Sequence, residues 1–595
     1  MKNNYKLELI NKGKTSYHIC YNKDADECTR FSATELQKYL YSSTKTCIPL
    51  FSDKCERRGK EIWVGLGRNN EGEKYLESLK DLSDESFMIK NVNDNLLILG
   101  KTPRANMYGV YYFLNKYIGF RCLANDTEIY DKLDMIVVTE DEVKDFPFEH
   151  RDVYWHFAFD GNYASKNMLN SNLADLSERK GGRRKWFNFH HSFGDLLNPN
   201  DYFDEHPEYF SLVDGIRKKE HTELCLSNEE VFNIALKKVR EWIINNPECT
   251  VFSVAQDEWM GHFEKMACEC DGCKKIDDEN ESQSGSVITF VNKIAESIKE
   301  EFPKVLIHTF AYQYSRKPPK KVKPKDNVIV RLTNIECSWS KSLEEGALEN
   351  PSGRNASFVS DLTNWSKITN RLYIWDYAVN YRNYLLPFPC IRSMYKNIMF
   401  YKKLKVKGLL MEGNFSFGGG GYFDELKAYL TSRLMGFDER CLEEIVSEFC
   451  DGYYGKCSKL AQEYLYLFED NIKGDLWLYD DADSEMFTDE VCQKAKEIIN
   501  QMEELNNSDL VNKLDKSYAH TKKLILSYKY LELVRLPIDY PNRDNLVDEF
   551  FDNIMDAGIT ELFERTNLDF SKEAIKKTRY AKDREGWYSL YYIMK

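Results

Sequence analysis

Between residues 148 and 413 short apolar runs recur with a regularity that constrains the fold more than any other feature. They read RDVYWHFAF (151–159), KWFNFHH (185–191), TELCLS (222–227), TVFSVAQDE (250–258), KVLIHTFAY (304–312), NVIVRLT (327–333), RLYIWDYAV (371–379) and KGLLMEG (407–413). Each has the length and β-branched or aromatic content of a buried strand. Helix-like segments such as NEEVFNIALKKVREWIINN and SVITFVNKIAESIKEEF lie between them. The first of these starts at Asn228 with two glutamates behind it, a good N-terminal signal. Strands alternating with helices predict a parallel α/β sheet, and eight over roughly 270 residues predict a (β/α)8 TIM barrel. An open doubly wound sheet is the alternative, but no Gly-rich phosphate turn follows the first strand.

The flanks read differently. Residues 1–145 mix the two signals and predict an N-terminal α+β domain. FSATELQKYLYSST is a helix with Ser32 as its expected N-cap, SFMIKNV and NLLILGK form a hairpin turning at Asn93-Asp94-Asn95, and MYGVYYFLNKYIGFRCL is a helix stopped by Gly119. With the barrel assigned to 146–420, residues 421–595 show apolar positions at i, i+3, i+4 and i+7 and predict a C-terminal all-helical domain.

Net charge is −14 with no clustered Lys or Arg, which argues against nucleic acid and against an anionic membrane surface as partner. No run is long and apolar enough to span a bilayer. The first thirty residues lack a signal-peptide core, so a cytoplasmic location is expected, or an extracellular one if a leader has been removed. Most of the 16 cysteines sit singly in apolar runs, as reduced core thiols do.

In a (β/α)8 barrel the chemistry gathers at the C-terminal strand ends. Here those ends carry Trp155 and His156, His190 and His191, Asp257 and Glu258 followed by Trp259, then Tyr312, then Trp375, Asp376 and Tyr377, and Glu412. Acids, histidines and indoles on one rim suit a sugar substrate, and two adjacent carboxylates suit glycoside hydrolysis. In the substrate-assisted form the substrate's own 2-acetamido oxygen attacks the anomeric carbon. Asp257 would orient that group, and Glu258 would serve as acid and then base, its pKa raised by the neighbouring charge. Glu412 and Asp376 are rival acids, and the remaining rim residues are expected to bind substrate. No cofactor is required by this chemistry.

ACECDGCKK places Cys268, Cys270 and Cys273 within six residues. They offer three of the four ligands of a structural zinc, which His262 or Cys337 could complete; reduced thiols and a disulfide are the other readings.

The N-terminal stretch, from LQKYL through IWVGLG to YGVYYFL ending at a glycine, resembles the non-catalytic domain of α-glucuronidases and β-hexosaminidases. The stretch from EHRDVYWH through QDEW, CECDGC, TFAYQYSRKPPK and NVIVRL resembles the DUF4838 domain that underlies glycoside hydrolase family 163. The resemblance covers roughly residues 1–420, and YQYSRKPP is its most specific part. It implies an endo-β-N-acetylglucosaminidase acting on an oligosaccharide or glycoprotein glycan of N-glycan type, with Asp257 and Glu258 as the catalytic pair. Such an enzyme is ordinarily exported, and this sequence shows no export signal. An exo-β-N-acetylhexosaminidase is a rival reading, as is an α-glucuronidase with a basic pocket from Arg183, Arg184 or Arg331. A rival of another class is a carbohydrate-binding protein without catalysis. Nothing in the sequence fixes an oligomeric state.

Overall fold

The computed structural model describes residues 5–219, 223–258 and 266–578. Seven of the eight apolar runs become strands of one parallel sheet. They are β1 (His150–Tyr154), β2 (Trp186–Phe187), β3 (Val251–Ser253), β4 (Leu306–Ala311), β5 (Val328–Thr333), β6 (Leu372–Tyr377) and β7 (Gly408–Glu412). The order across the sheet is β1-β7-β6-β5-β4-β3-β2, the cyclic order of a curled barrel. The expected α/β barrel class is therefore observed. Helices such as Glu229–Asn245 and Ser284–Ile298 connect successive strands, the first capped by Asn228, whose side chain accepts the Glu230 and Val231 N–H groups.

The run 222–227 departs from expectation. Among its described residues, Leu224 forms only an isolated bridge with Phe210, and β2 pairs directly with β3. Glu223 and Cys225 explain the difference, because each is drawn to a polar partner outside the sheet.

No ladder joins β1 to β2; the segment 170–172 closes that seam with side chains. Asn170 accepts the Arg151 N–H at 2.9 Å and donates to the Glu149 carbonyl at 2.9 Å. Asn172 accepts the Trp186 N–H at 3.0 Å, while its own N–H donates to Asp152 at 3.2 Å. Two amide side chains thus satisfy strand-edge groups that a neighbouring backbone would otherwise satisfy.

In the N-terminal region a six-stranded sheet runs Glu142–Lys144, Phe87–Val92, Asn95–Gly100, Lys60–Val64, Tyr17–Tyr21 and Leu50–Ser52 in spatial order. Helices Glu27–Thr44 and Pro103–Tyr117 pack on each other and share its core. The expected hairpin forms, with Asn93 and Asp94 both at positive φ, as a tight turn between right-twisted strands requires. Gly119 ends the second helix at φ +62, and a Cβ there would meet Asp131 Oδ2 at 2.4 Å. Ser32 is not the cap of the first helix. Asp26 is, accepting the Thr29 N–H at 2.8 Å, and Ser32 lies within the helix, donating to the Cys28 carbonyl.

The N-terminal region is tied to the barrel at Glu85. This buried carboxylate accepts from Arg151 at 2.5 Å and from Asn170 at 3.0 Å, with Arg104 Nε at 2.8 Å. Burial works against its charge, but the two guanidiniums prevail and hold it down to about 2. After residue 421 the chain is helical from Asp424–Met435 to Leu568–Lys577, apart from a hairpin of Glu561–Phe563 with Thr566–Asn567. No helix among the described residues is long and apolar enough to cross a membrane.

Candidate active site

At the end of β3 the chain places Asp257 and Glu258 side by side with different surroundings. Asp257 accepts backbone N–H groups from Phe193 at 3.1 Å and Gly194 at 2.9 Å, both entering a short helical turn. Its own N–H donates to Glu223 Oε1 at 2.8 Å. Hydrogen bonds from backbone amides stabilise a carboxylate in its charged form. Glu258 reaches into the mouth of the barrel, its side chain 33% exposed. The Tyr312 hydroxyl, from the end of β4, donates to Glu258 Oε1 at 2.6 Å.

His191 stands on the other side of Glu258, with Nε2 3.8 Å from Oε2. Its Nδ1 lies 2.6 Å from the Gln256 carbonyl oxygen, so Nδ1 carries the proton and Nε2 faces the carboxylate. Burial and the Glu258 charge push the Tyr312 phenol well above its ordinary value, which keeps it a donor. Gln256, just before the pair, donates to the Tyr312 carbonyl at 3.0 Å and accepts from Ser315. Gln313, between these partners, has a positive φ of 50°, an unusual conformation for this residue type next to a functional position.

The opposite wall comes from β6 and β7. Trp375 Nε1 donates to Glu412 Oε2 at 2.6 Å, and Tyr381 adds a second hydrogen bond. Burial nevertheless raises the Glu412 carboxyl to about 8, so it holds its proton at neutral pH. The buried Tyr377 phenol feels the charge of both Glu412 and Glu258, which places both acids around one group. Phe189, Phe310 and Trp375 gather below the mouth, their ring centroids 5.7–6.1 Å from Trp375. His156 meets Phe417 edge-on at 5.0 Å on the rim, and His190 is exposed beside His191.

Two expected contacts are corrected by the structure. Trp155 is fully buried and lies against Gly413, where a Cβ would come within 1.8 Å of the indole; it belongs to the core and presents no surface to a ligand. Asp376 is buried on the helix-facing side of β6, because side chains alternate along a strand. It accepts from Asn334 at 2.6 Å and Tyr401 at 2.7 Å, so its work is structural. Trp259 and His262 lie outside the described residues.

Of the basic residues expected of a uronide pocket, two lie at the opposite end of the barrel and the third is buried beneath the mouth. Arg183 and Arg184 precede β2, and Arg184 donates to the Glu149 carbonyl at the opposite end of the barrel. Arg331 is buried in the lumen with its guanidinium 4.1 Å from the Trp186 ring and 4.7 Å from Phe189.

Several residues that the sequence did not single out complete the arrangement. Glu223 is fully enclosed, accepts from Tyr314 at 2.9 Å, and is pushed well above the carboxylate range by burial and by Asp257. Its only sequence signal is an acid inside an apolar run. Tyr381, four positions beyond Tyr377, carries the C-terminal region to the mouth. Its N–H donates to the Leu478 carbonyl at 2.8 Å, and its carbonyl accepts the Glu564 N–H at 3.1 Å. Tyr479 then sits 5.7 Å from the Tyr381 ring, with Trp477 4.9 Å beyond. The contacts of Tyr381 with Leu478, Tyr479 and Glu564 join segments far apart in the chain and leave no local pattern. Cys268, Cys270 and Cys273 come together with Cys225, while Cys337, a suggested fourth ligand, does not belong to the group.

The arrangement offers one accessible carboxylate with a donor and an imidazole on it, one carboxylate accepting two backbone N–H groups beside it, and one protonated carboxyl opposite. That set can donate a proton, take one back and stabilise a cationic centre.

A family model described as "Domain of unknown function (DUF4838)" matches residues 123–466. No curated protein matches the sequence. Among solved structures, the family GH115 4-O-methyl-α-glucuronidase BtGH115A, with specificity for decorated arabinogalactans, aligns with a TM-score of 0.56 at 11% identity. The alignment covers 97% of this chain and 80% of that one, a likeness of fold. The structure of CpGH84B aligns with a TM-score of 0.46 and 14% identity over 94% of this chain and 93% of its own.

Proposed function

The chain belongs to the DUF4838 family, and from that premise we propose that it is a glycoside hydrolase cleaving β-linked N-acetylglucosamine. The finer reading is an endo-β-N-acetylglucosaminidase acting on N-glycan-type oligosaccharides by a retaining, substrate-assisted route. The observation that carries it is the contrast within the acid pair: Asp257 is clamped by two backbone N–H groups, while Glu258 projects into the mouth with Tyr312 and His191 on it.

In the proposed reaction Glu258 protonates the leaving glycosidic oxygen as that bond breaks. The 2-acetamido oxygen bonds to the anomeric carbon, and Asp257 accepts the acetamido N–H and steadies the developing positive charge. Glu258, now ionised, takes a proton from water, which opens the cyclic intermediate with retained configuration. Tyr312 balances the carboxylate in the step where it is charged. Trp375 and Tyr377 flank the sugar.

Incubation with an N-glycoprotein and with an aryl β-N-acetylglucosaminide, followed by mass spectrometry, tests the proposal. Glycans leaving one N-acetylglucosamine on the protein support endo action, and activity on the aryl sugar alone supports an exo-hexosaminidase. Inactivity on both rules the reading out.

One observation favours a second reading. Glu412 keeps its proton to about pH 8 opposite Glu258, as a two-carboxylate hydrolase would require of its acid. That mechanism needs no acetamido group. Comparable cleavage of a substrate with a 2-hydroxyl in its place would favour it.

A further inference from the structure

We propose that Cys225, Cys268, Cys270 and Cys273 form a tetrathiolate zinc site that clamps together the two stretches of chain flanking the acid pair. The four Sγ atoms all lie within 4.8 Å of one another, with Cys225 and Cys270 3.5 Å apart. Four sulfurs at about 2.3 Å from a tetrahedral zinc lie about 3.8 Å from each other, so the observed cluster needs only a slight adjustment to close on the ion. None of the four is disulfide-bonded.

The surroundings suit a metal thiolate. Cys225, Cys268 and Cys273 are buried, with Leu212 and Leu226 packed against them. The Leu212 N–H points at Cys268 Sγ at 3.3 Å, a donor that steadies a sulfur carrying negative charge. Cys270 caps the helix Asp271–Asn280 and Cys273 lies in its first turn, at the end where the helix dipole favours thiolates. The Ser227 hydroxyl lies 3.3–3.8 Å from the sulfurs of Cys225, Cys270 and Cys273, another polar neighbour for thiolates. Four soft ligands select zinc in a structural role, since four thiolates leave no coordination position for water or substrate.

The linkage is long in sequence and short in space. Cys225 lies two residues beyond Glu223, whose carboxyl receives the Asp257 N–H, and the other three follow Glu258 within fifteen residues. Cys225 also pairs by its N–H with the Tyr209 carbonyl, and Glu269 with that of Leu212, so the hairpin Leu212–Val213 with Ile216–Arg217 is bound into the same unit. The ion would fix Glu223 against the base of Asp257 without touching substrate, and it stands independently of which glycoside is cut.

Elemental analysis of full-length protein purified without chelator tests the site. The expected result is about one zinc per chain, falling at least tenfold in Cys225→Ser and in Cys270→Ser and unchanged in Cys337→Ser. Denatured wild type should titrate all 16 thiols. Chelation should raise hydrogen exchange in 223–227 and 268–273 specifically. Should the serine variants fail to fold, wild-type metal content and the thiolate-to-cobalt absorption of cobalt-substituted protein decide the matter. Zinc-free wild type with all four thiols reactive in the folded state would overturn the proposal, as would two thiols missing from the denatured count.

Discussion

Tyr312 donates its phenolic proton to Glu258 across 2.6 Å, although the two residues stand on neighbouring strands and 54 positions apart. A strand end holds its acid in place through its neighbour's side chain. On the proposed mechanism, Glu258→Gln should lower kcat by about a thousandfold while binding persists. Tyr312→Phe, which leaves the acid present but unsupported, should cost about tenfold in kcat with KM little changed. Steady-state kinetics with a calorimetric binding measurement on the Gln variant check both. A Gln variant that retains a tenth of wild-type turnover would remove Glu258 from the chemistry.

Glu412 gives a pH-dependent signature. Its folded-state pKa of about 8 lies above the unfolded value, so the folded chain binds the extra proton. Stability from this group is full below pH 4.5 and declines as pH rises towards 8. Glu412→Gln should therefore melt higher than wild type at pH 8 and close to it at pH 5. Glu223 and Asp424, also raised by burial, titrate in the same direction in both proteins and cancel in the difference. Parallel melting curves across that range would show that Glu412 is not held protonated.

Glu85 has the opposite sign. Its folded value of about 2 lies below the unfolded one, so its contribution is present above pH 4.5 and is lost as pH falls towards 2. Glu85→Gln should lower stability by about 3 kcal/mol at pH 7, because Arg151 and Arg104 lose a buried counter-charge. The deficit should vanish in acid. Denaturant unfolding at pH 7 and pH 3 measures it, and a deficit that does not shrink on acidification would contradict the ion-pair account.

At the seam between β1 and β2, Asn172→Ala should cost about 1–3 kcal/mol, since the Trp186 N–H loses its acceptor in a buried setting. Asn172→Asp keeps an acceptor and should cost less at neutral pH only if the buried charge is tolerated, so the alanine variant is the cleaner measure. A thermal shift within error of wild type would mean that the seam is held by other contacts.

Much of this was legible in the sequence because it is written locally. The seven barrel strands, the hairpin at Asn93-Asp94, the stop at Gly119 and the cap at Asn228 all follow from short-range pattern. The eighth strand failed because TELCLS has the composition of a strand but its Glu and Cys answer to partners far along the chain. Trp155 and Asp376 show a different limit. Both lie at strand ends, but one closes the core and the other follows the alternation that sends Trp375 and Tyr377 inward. Tyr381, Tyr479 and the 561–567 hairpin were invisible because the helical region reaches the barrel mouth only in three dimensions. Cys225 was missed for the same reason, since its three partners lie more than forty residues away.

A backbone ladder is indifferent to the letters of the sequence, because every residue except proline brings the same N–H and C=O. Where this barrel joins strand to strand through its main chain, substitution can alter packing without undoing the join. Where Asn170 and Asn172 make the closure, the join itself is spelled in two particular residues. The circle of the barrel is thus heritable at one point in large part as side-chain identity, with the main-chain bond from Arg184 N–H to the Asn170 carbonyl beside it. In a library of random variants selected for folding, positions 170 and 172 should admit fewer alternatives than equally buried positions within the ladders.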